Sequence, residues 1–156
     1  MRVPHPGPER ARVIGLLDEF QAAERAGAAA VGSWIGACGD PRLRGGLKVI
    51  RARDTRHAAL AEARLRELGG VPAASPSRAL AALCGVVADP AVSDRSKLAM
   101  ILGRLPEPDD APLLELVHAV ETDAETSSLL ATIVDDERAS MRWLRAIREA
   151  LEREGA

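Results

Sequence analysis

The chain has 156 residues, enough for one domain with a real core and little more. Apolar residues make up 47% and charged residues 28%, with a net charge of −2, a balance that excludes a disordered chain. Acids and bases are interspersed and aromatics are 2%, so neither the cationic density nor the stacking rings of a nucleic-acid binder are present.

The opening "MRVPHPGPER" has three prolines and no apolar core, so residues 1–7 read as an extended tail and not as a signal peptide. Beyond it Ala, Leu, Arg and Glu dominate and nothing alternates with period two, which predicts an all-α protein. A first helix is expected from Pro8 to Cys38, with Pro8 in its first turn. Its apolar stretch Ala26–Cys38 is too short to span a bilayer, and its small residues suit close helix packing. Asp40 as N-cap and Pro41 at the first helical position start a second helix, which runs to Leu68 and stops at Gly69–Gly70. Ser75 and Pro76 open a short helix to about Ala88. A turn over Asp89–Asp94 leads to another short helix ending near Leu105. Pro106 and Pro108 then break the chain, because both cannot lie inside a regular helix. A helix from about Asp110 to Glu121 follows, and Asp123 caps a last, long helix to about Glu154. Two long hairpins joined by an irregular connection over 71–109 make one domain, an antiparallel four-helix bundle with a crossover that carries extra short helices. Cys38 and Cys84 lack metal-ligand spacing and read as buried free thiols in a reducing cytoplasm.

The chemistry-bearing pattern lies in "RDTRHAALAEARLRELGG", from Arg53 to Gly70. Asp54 and His57, at i and i+3, share one helix face. Measured from the turn at Asp40, Glu24 lies 16 residues before (40 − 24), and Asp54 and His57 lie 14 and 17 after. Equal distances from the turn of an antiparallel pair mean equal height, so Glu24 should stand level with Asp54 and His57. One inward carboxylate with an acid-x-x-His pair is half of a carboxylate-bridged dimetal site. Adding 83 to each number maps Asp40 onto Asp123, Asp54 onto Glu137, His57 onto Ser140 and Glu24 onto Glu107. Glu137 is thereby a fourth candidate ligand, whereas the hydroxyl of Ser140 is a poor one. Glu107 sits between two prolines, with Asp109, Asp110 and Glu115 as nearby substitutes. His118 lies 9 residues off the height of Glu137, roughly 13 Å, and reads as a surface or interface histidine.

These residues carry a resemblance. "RDTRHAALAEARLRELGG" resembles the second helix of ferritin-like proteins, the group containing rubrerythrins and bacterioferritins, and "TSSLLATIVDDERASMRWL" is similar to their fourth. The resemblance covers roughly Pro8–Gly70 and Asp110–Ala150 and is specific at Asp54/His57 and around Asp136–Leu144. It implies a four-helix bundle whose site holds two iron or manganese ions. Glu24 would be the first-helix carboxylate, Asp54 and His57 the second-helix pair, and Glu137 the fourth-helix carboxylate. Asp54 stands where Glu is more usual, and Ser140 where the family pattern has histidine.

Three functions compete. The first is a degenerate ferritin-like bundle without a complete dimetal centre, with a structural or interaction role. There the inward acids would pair with arginines such as Arg25, Arg53, Arg56 and Arg138. The second is a metal-binding bundle that holds iron or manganese at a reduced site of Glu24, Asp54, His57 and Glu137, with redox activity open to it. The third is a helical binding protein for a small apolar ligand or a partner helix, lined by Trp34, Trp143, Met141 and Phe20, although aromatics at such positions are more often core. The expected setting is cytoplasmic, with no nucleic acid, no membrane, and a homodimer or protein partner as the association that the small-residue face of the first helix permits.

Overall fold

A computed structural model describes residues 7–104, 117–120 and 122–155. They form five helices, and no strand occurs among the described residues. α1 spans Pro8–Ala37, α2 Pro41–Glu67, α3 Arg78–Ala88, α4 Asp94–Arg104 and α5 Ala124–Glu154. The chain is all-α, as its composition predicts. None of these helices is long and apolar enough to cross a membrane.

The helix ends follow local chemistry. Pro8 sits in the first turn of α1, where its missing N–H costs nothing. The Asp40 carboxylate accepts from the backbone N–H of Arg42 and Leu43 and so starts α2 beside Pro41. At the other end Gly69 takes φ +83°, which only glycine adopts cheaply. The N–H groups of Gly70 and Gly69 then close onto the carbonyls of Leu65 and Arg66, satisfying α2's last acceptors. Ser77, two residues after the expected Ser75, caps α3 through Leu80 N–H. Asp123 caps α5 through Thr126 N–H and also receives the Arg64 guanidinium.

α1 and α2 form a long antiparallel hairpin. α3 lies on α1, α4 on α3 and α5, and α5 on α2, so the helix contacts close into a ring. Two apolar clusters occupy its ends. One gathers Val13, Leu17, Phe20, Ala61, Leu65, Val120, Leu130 and Ile133. The other gathers Trp34, Leu43, Leu47, Val87, Leu98, Leu144 and Ile147. The order of these residues along the chain sets the directions: α5 runs parallel to α1 and antiparallel to α2. α3 delivers Val87 to the Trp34 end, α4 begins there, and the chain is next described at Val117–Val120 in the opposite cluster. The predicted short helices of the crossover are therefore present and contribute core. The predicted helix over 110–121 falls mostly outside the described residues.

Asp94, at the start of α4, fastens the α1–α2 turn. It accepts from Trp34 Nε1 at 2.8 Å and Gly39 N–H at 3.1 Å, and lies 3.6 Å from Cys38 Sγ. Trp34 and Phe20 are core. Cys38 and Cys84 are free, and burial pushes both thiols above their ordinary range, which makes them poor nucleophiles. Gly46 of α2 is where Trp143 of α5 lies flat against backbone, and a Cβ there would fall inside the indole. Gly46→Ala is expected to cost about 1–3 kcal/mol through overpacking. The check is a lower urea midpoint at unchanged slope.

Candidate metal centre

Each of the three long helices changes character between the two apolar clusters. On α1 the change falls at Gln21–Glu24, on α2 at Arg53–His57, and on α5 at Asp136–Ser140. The antiparallel hairpin sets Glu24 and His57 at one height, and α5 brings Glu137 to the same level. One ligand atom from each of Glu24, Asp54, His57 and Glu137 lies within 4.8 Å of the other three. All four sequence-predicted site residues are thus brought together, in a waist with an apolar plug above and below.

His57 is the hub, and its side chain is 2% exposed. Nδ1 lies 3.3 Å from Glu24 Oε2 and 3.1 Å from Glu137 Oε1, while Nε2 lies 3.0 Å from Asp136 Oδ2. One N–H serves one acceptor well, and at Nδ1 the hydrogen-bond alignment favours Glu24. Glu137 Oε1 keeps only the charge contact and is a buried oxygen without a hydrogen bond. Gln21, one turn from Glu24, is 2% exposed and also has an orphaned side-chain oxygen.

Asp136 is the member that sequence reasoning missed. It sits in the run Asp135–Asp136–Glu137, and a run of acids on a helix ordinarily marks a solvated face. The usable signal was on the other helix: a fully buried imidazole must satisfy two nitrogens, and Glu24 and Glu137 both lie on the Nδ1 side.

The cost of gathering these charges appears in their protonation. Burial, then the nearby Glu24 and Glu137, push Asp54 up to about 8. Burial also raises Glu24, against the pull of His57. Burial works against charge on His57, but the carboxylates of Glu137, Glu24 and Asp136 outweigh it and push the imidazole up to about 10. At neutral pH the metal-free waist therefore holds an imidazolium, and Asp54 retains its proton.

Of the expected arginine partners, Arg25 is turned to another acid and Arg53 stays beside the waist. Arg25 pairs with Glu62 of α2, and Arg138 lies 3.8 Å from Asp135. Arg53 donates to Ser140 Oγ at 3.1 Å, although its charge still eases Asp54. Ser140, at the position mapped from His57, is buried and serves as that hydrogen-bond acceptor. His118 is exposed and outside the group of four. Glu107, Asp109, Asp110 and Glu115, the candidates for a third-helix carboxylate, lie outside the described residues.

With this geometry in hand the chain was compared with known proteins: no family model, no curated protein and no solved structure matches it.

Proposed function

We propose that this protein is a metal-binding helical bundle of ferritin-like type that holds one iron(II) or manganese(II) ion on Glu24, Asp54, His57 and Glu137. The observation that carries the reading is the convergence of four donors from three helices within 4.8 Å, with the buried Glu137 Oε1 and Glu24 Oε2 sharing the single Nδ1 of His57. Three carboxylates and one imidazole are a donor set suited to manganese or ferrous iron. The second nitrogen of His57 is bonded to Asp136, which fixes the ring and leaves Nδ1 facing the carboxylates, the outer-sphere support that metal-ligating histidines ordinarily have. Donors on opposite sides of one ion are about 4.2 Å apart for bonds of about 2.1 Å. Two ions about 3.5–4 Å apart would need a wider spread of donors. The compact group supports one ion per chain, a reduced version of the dimetal site that the resemblance implies.

Charge supports the same reading. Glu24, Asp54, Asp136 and Glu137 face one histidine, and the metal-free waist reaches tolerable charge only by retaining protons on Asp54 and His57. A divalent cation takes the place of those protons. When bound, such an ion with an open coordination position supplies Lewis-acid or one-electron redox chemistry. The chain's own part is to orient the ligands and to exclude bulk water with the apolar clusters on either side.

A second reading rests on a specific contact pattern. An imidazolium within 3.3 Å of three carboxylates is itself a buried ion-pair hub. A degenerate bundle with no metal and a structural or interaction role would use it to fix helix register. Reconstitution with manganese(II) and with iron(II), followed by elemental analysis, separates the two. One ion per chain is expected, and none with either metal would leave the ion-pair hub.

A further inference from the structure

The waist has a neighbour on its Trp34 side, between α2 and α5. An open pocket of about 210 Å³ lies there, lined by Val49, Ile50, Ala139 and Trp143 together with Arg53 and Ser140. Its walls are apolar and include a flat indole. Val49 is a large hydrophobic residue left 52% exposed at the rim. The pocket's one charged lining residue is Arg53. The hydrogen bond from Arg53 found among the described residues runs to Ser140, and no carboxylate there lies within salt-bridge distance of its guanidinium. A guanidinium carries five donors in a planar fork, one of which goes to Ser140, and the same charge also acts on the neighbouring Asp54.

We propose that this cavity is a binding site for a small aromatic carboxylate, a planar apolar body with one anionic end. The ring lies against Trp143 and between Val49 and Ile50, and the carboxylate takes the free edge of Arg53, with Ser140 beside it. The volume suits a single-ring ligand, below the range of about 300–1,000 Å³ for drug-sized sites. Charge complementarity selects an anion over a cation of the same shape. Its ligand-facing residues are distinct from the four metal donors, and because the Arg53 charge also acts on Asp54 the site is tested without metal.

Benzoate is the probe and Trp143 fluorescence the reporter, with the Trp143→Phe variant identifying the signal from Trp143 against Trp34. Titration of the full, metal-free chain is expected to give saturable quenching with benzoate. Benzylamine, which has the ring with the opposite charge, and acetate, which has the charge without the ring, should each bind at least tenfold more weakly. Arg53→Gln is expected to weaken benzoate about tenfold or more, the usual scale for losing a charge-assisted hydrogen bond. Val49→Glu, at an exposed position where folding is not at risk, places a like charge at the rim and is expected to weaken it as well. Equal binding of benzoate and benzylamine, or benzoate binding untouched in both variants, would overturn the proposal. So would absence of saturable quenching in the parent chain. Because the titration is done without metal, its failure leaves the metal reading intact, and failure of metal reconstitution leaves this one intact.

Discussion

His57→Ala is expected to lower affinity for manganese(II) by at least about a hundredfold and to destabilise the metal-free protein as well. The first effect follows from ligand chemistry. His57 supplies the one nitrogen among the four donors, and losing even an outer-sphere partner of a metal ligand typically costs about 10–100-fold. The second follows from the contacts. His57 is the cation that Glu24, Asp136 and Glu137 share, and removing one partner from a buried ion pair costs about 3–5 kcal/mol. The measurement is manganese stoichiometry by elemental analysis alongside urea denaturation, both on parent and variant. Glu137→Gln divides the two effects. It removes a ligand charge and one of the three carboxylates that share His57, but it also relieves repulsion of Glu24 and Asp54, so it should weaken metal while destabilising the metal-free chain less than His57→Ala does. If Glu137→Gln destabilised the metal-free chain as much as His57→Ala, Glu137 would be a structural member of the ion-pair hub and not a ligand held in reserve.

The fold was legible where one residue type decides the outcome. Asp40–Pro41, Gly69–Gly70 and Asp123 each have a local chemical reason to start or stop a helix, and each acts at the expected place. The site was legible because an antiparallel hairpin converts sequence distance from the turn into height, which put Glu24 level with Asp54 and His57 from numbering alone. What the numbering lacks is rotation about each helix axis. Nothing local distinguishes Asp136 from Asp135, and the assignment of Asp136 to His57 Nε2 depends on how α5 is turned against α2. The arginines were misplaced for a related reason. They were expected to reach inward to neutralise buried acids, but a long side chain keeps its charge better hydrated on the surface, as Arg25 does with Glu62. One histidine, placed centrally, faces Glu24, Asp136 and Glu137, while Arg53 still eases Asp54. The loop after α2 was equally opaque. The Asp18 carboxylate anchors it by accepting from Ala73 and Ala74 N–H, a contact between residues 55 and 56 positions apart with no pattern in the sequence.

The pH dependence of stability tests the charge state of the waist directly, and metal should reverse it. In the folded, metal-free chain Asp54 titrates near 8 instead of 3.8, and His57 near 10 instead of 6.5. Both groups bind protons more tightly folded than unfolded, so stability must fall as pH rises. Asp54 contributes nothing below about 3.8 and becomes progressively costly up to about 8. His57 contributes its full stabilisation below 6.5 and loses it as pH passes through about 10. Each proton taken up on folding corresponds to a slope of about 1.4 kcal/mol per pH unit, and the two windows overlap between about 6.5 and 8, where the fall should be steepest. Asp54→Asn removes the first contribution. It should raise the stability of the metal-free protein at pH 8 by a few kcal/mol, on the order of 1.4 kcal/mol for each pH unit by which the folded chain holds the Asp54 pKa above its ordinary value. It should also flatten the slope between pH 5 and 6.5, where His57 is already charged in both states. Manganese(II) acts oppositely, because its ligands must be deprotonated and binding releases the protons that the empty waist retains. Thermal unfolding from pH 5 to 9, with and without manganese(II), should therefore give curves of opposite slope for the parent chain. A metal-free curve that is flat or rises with pH would mean that Asp54 is ionised in the folded chain, and the waist would then have to be neutralised by something other than retained protons.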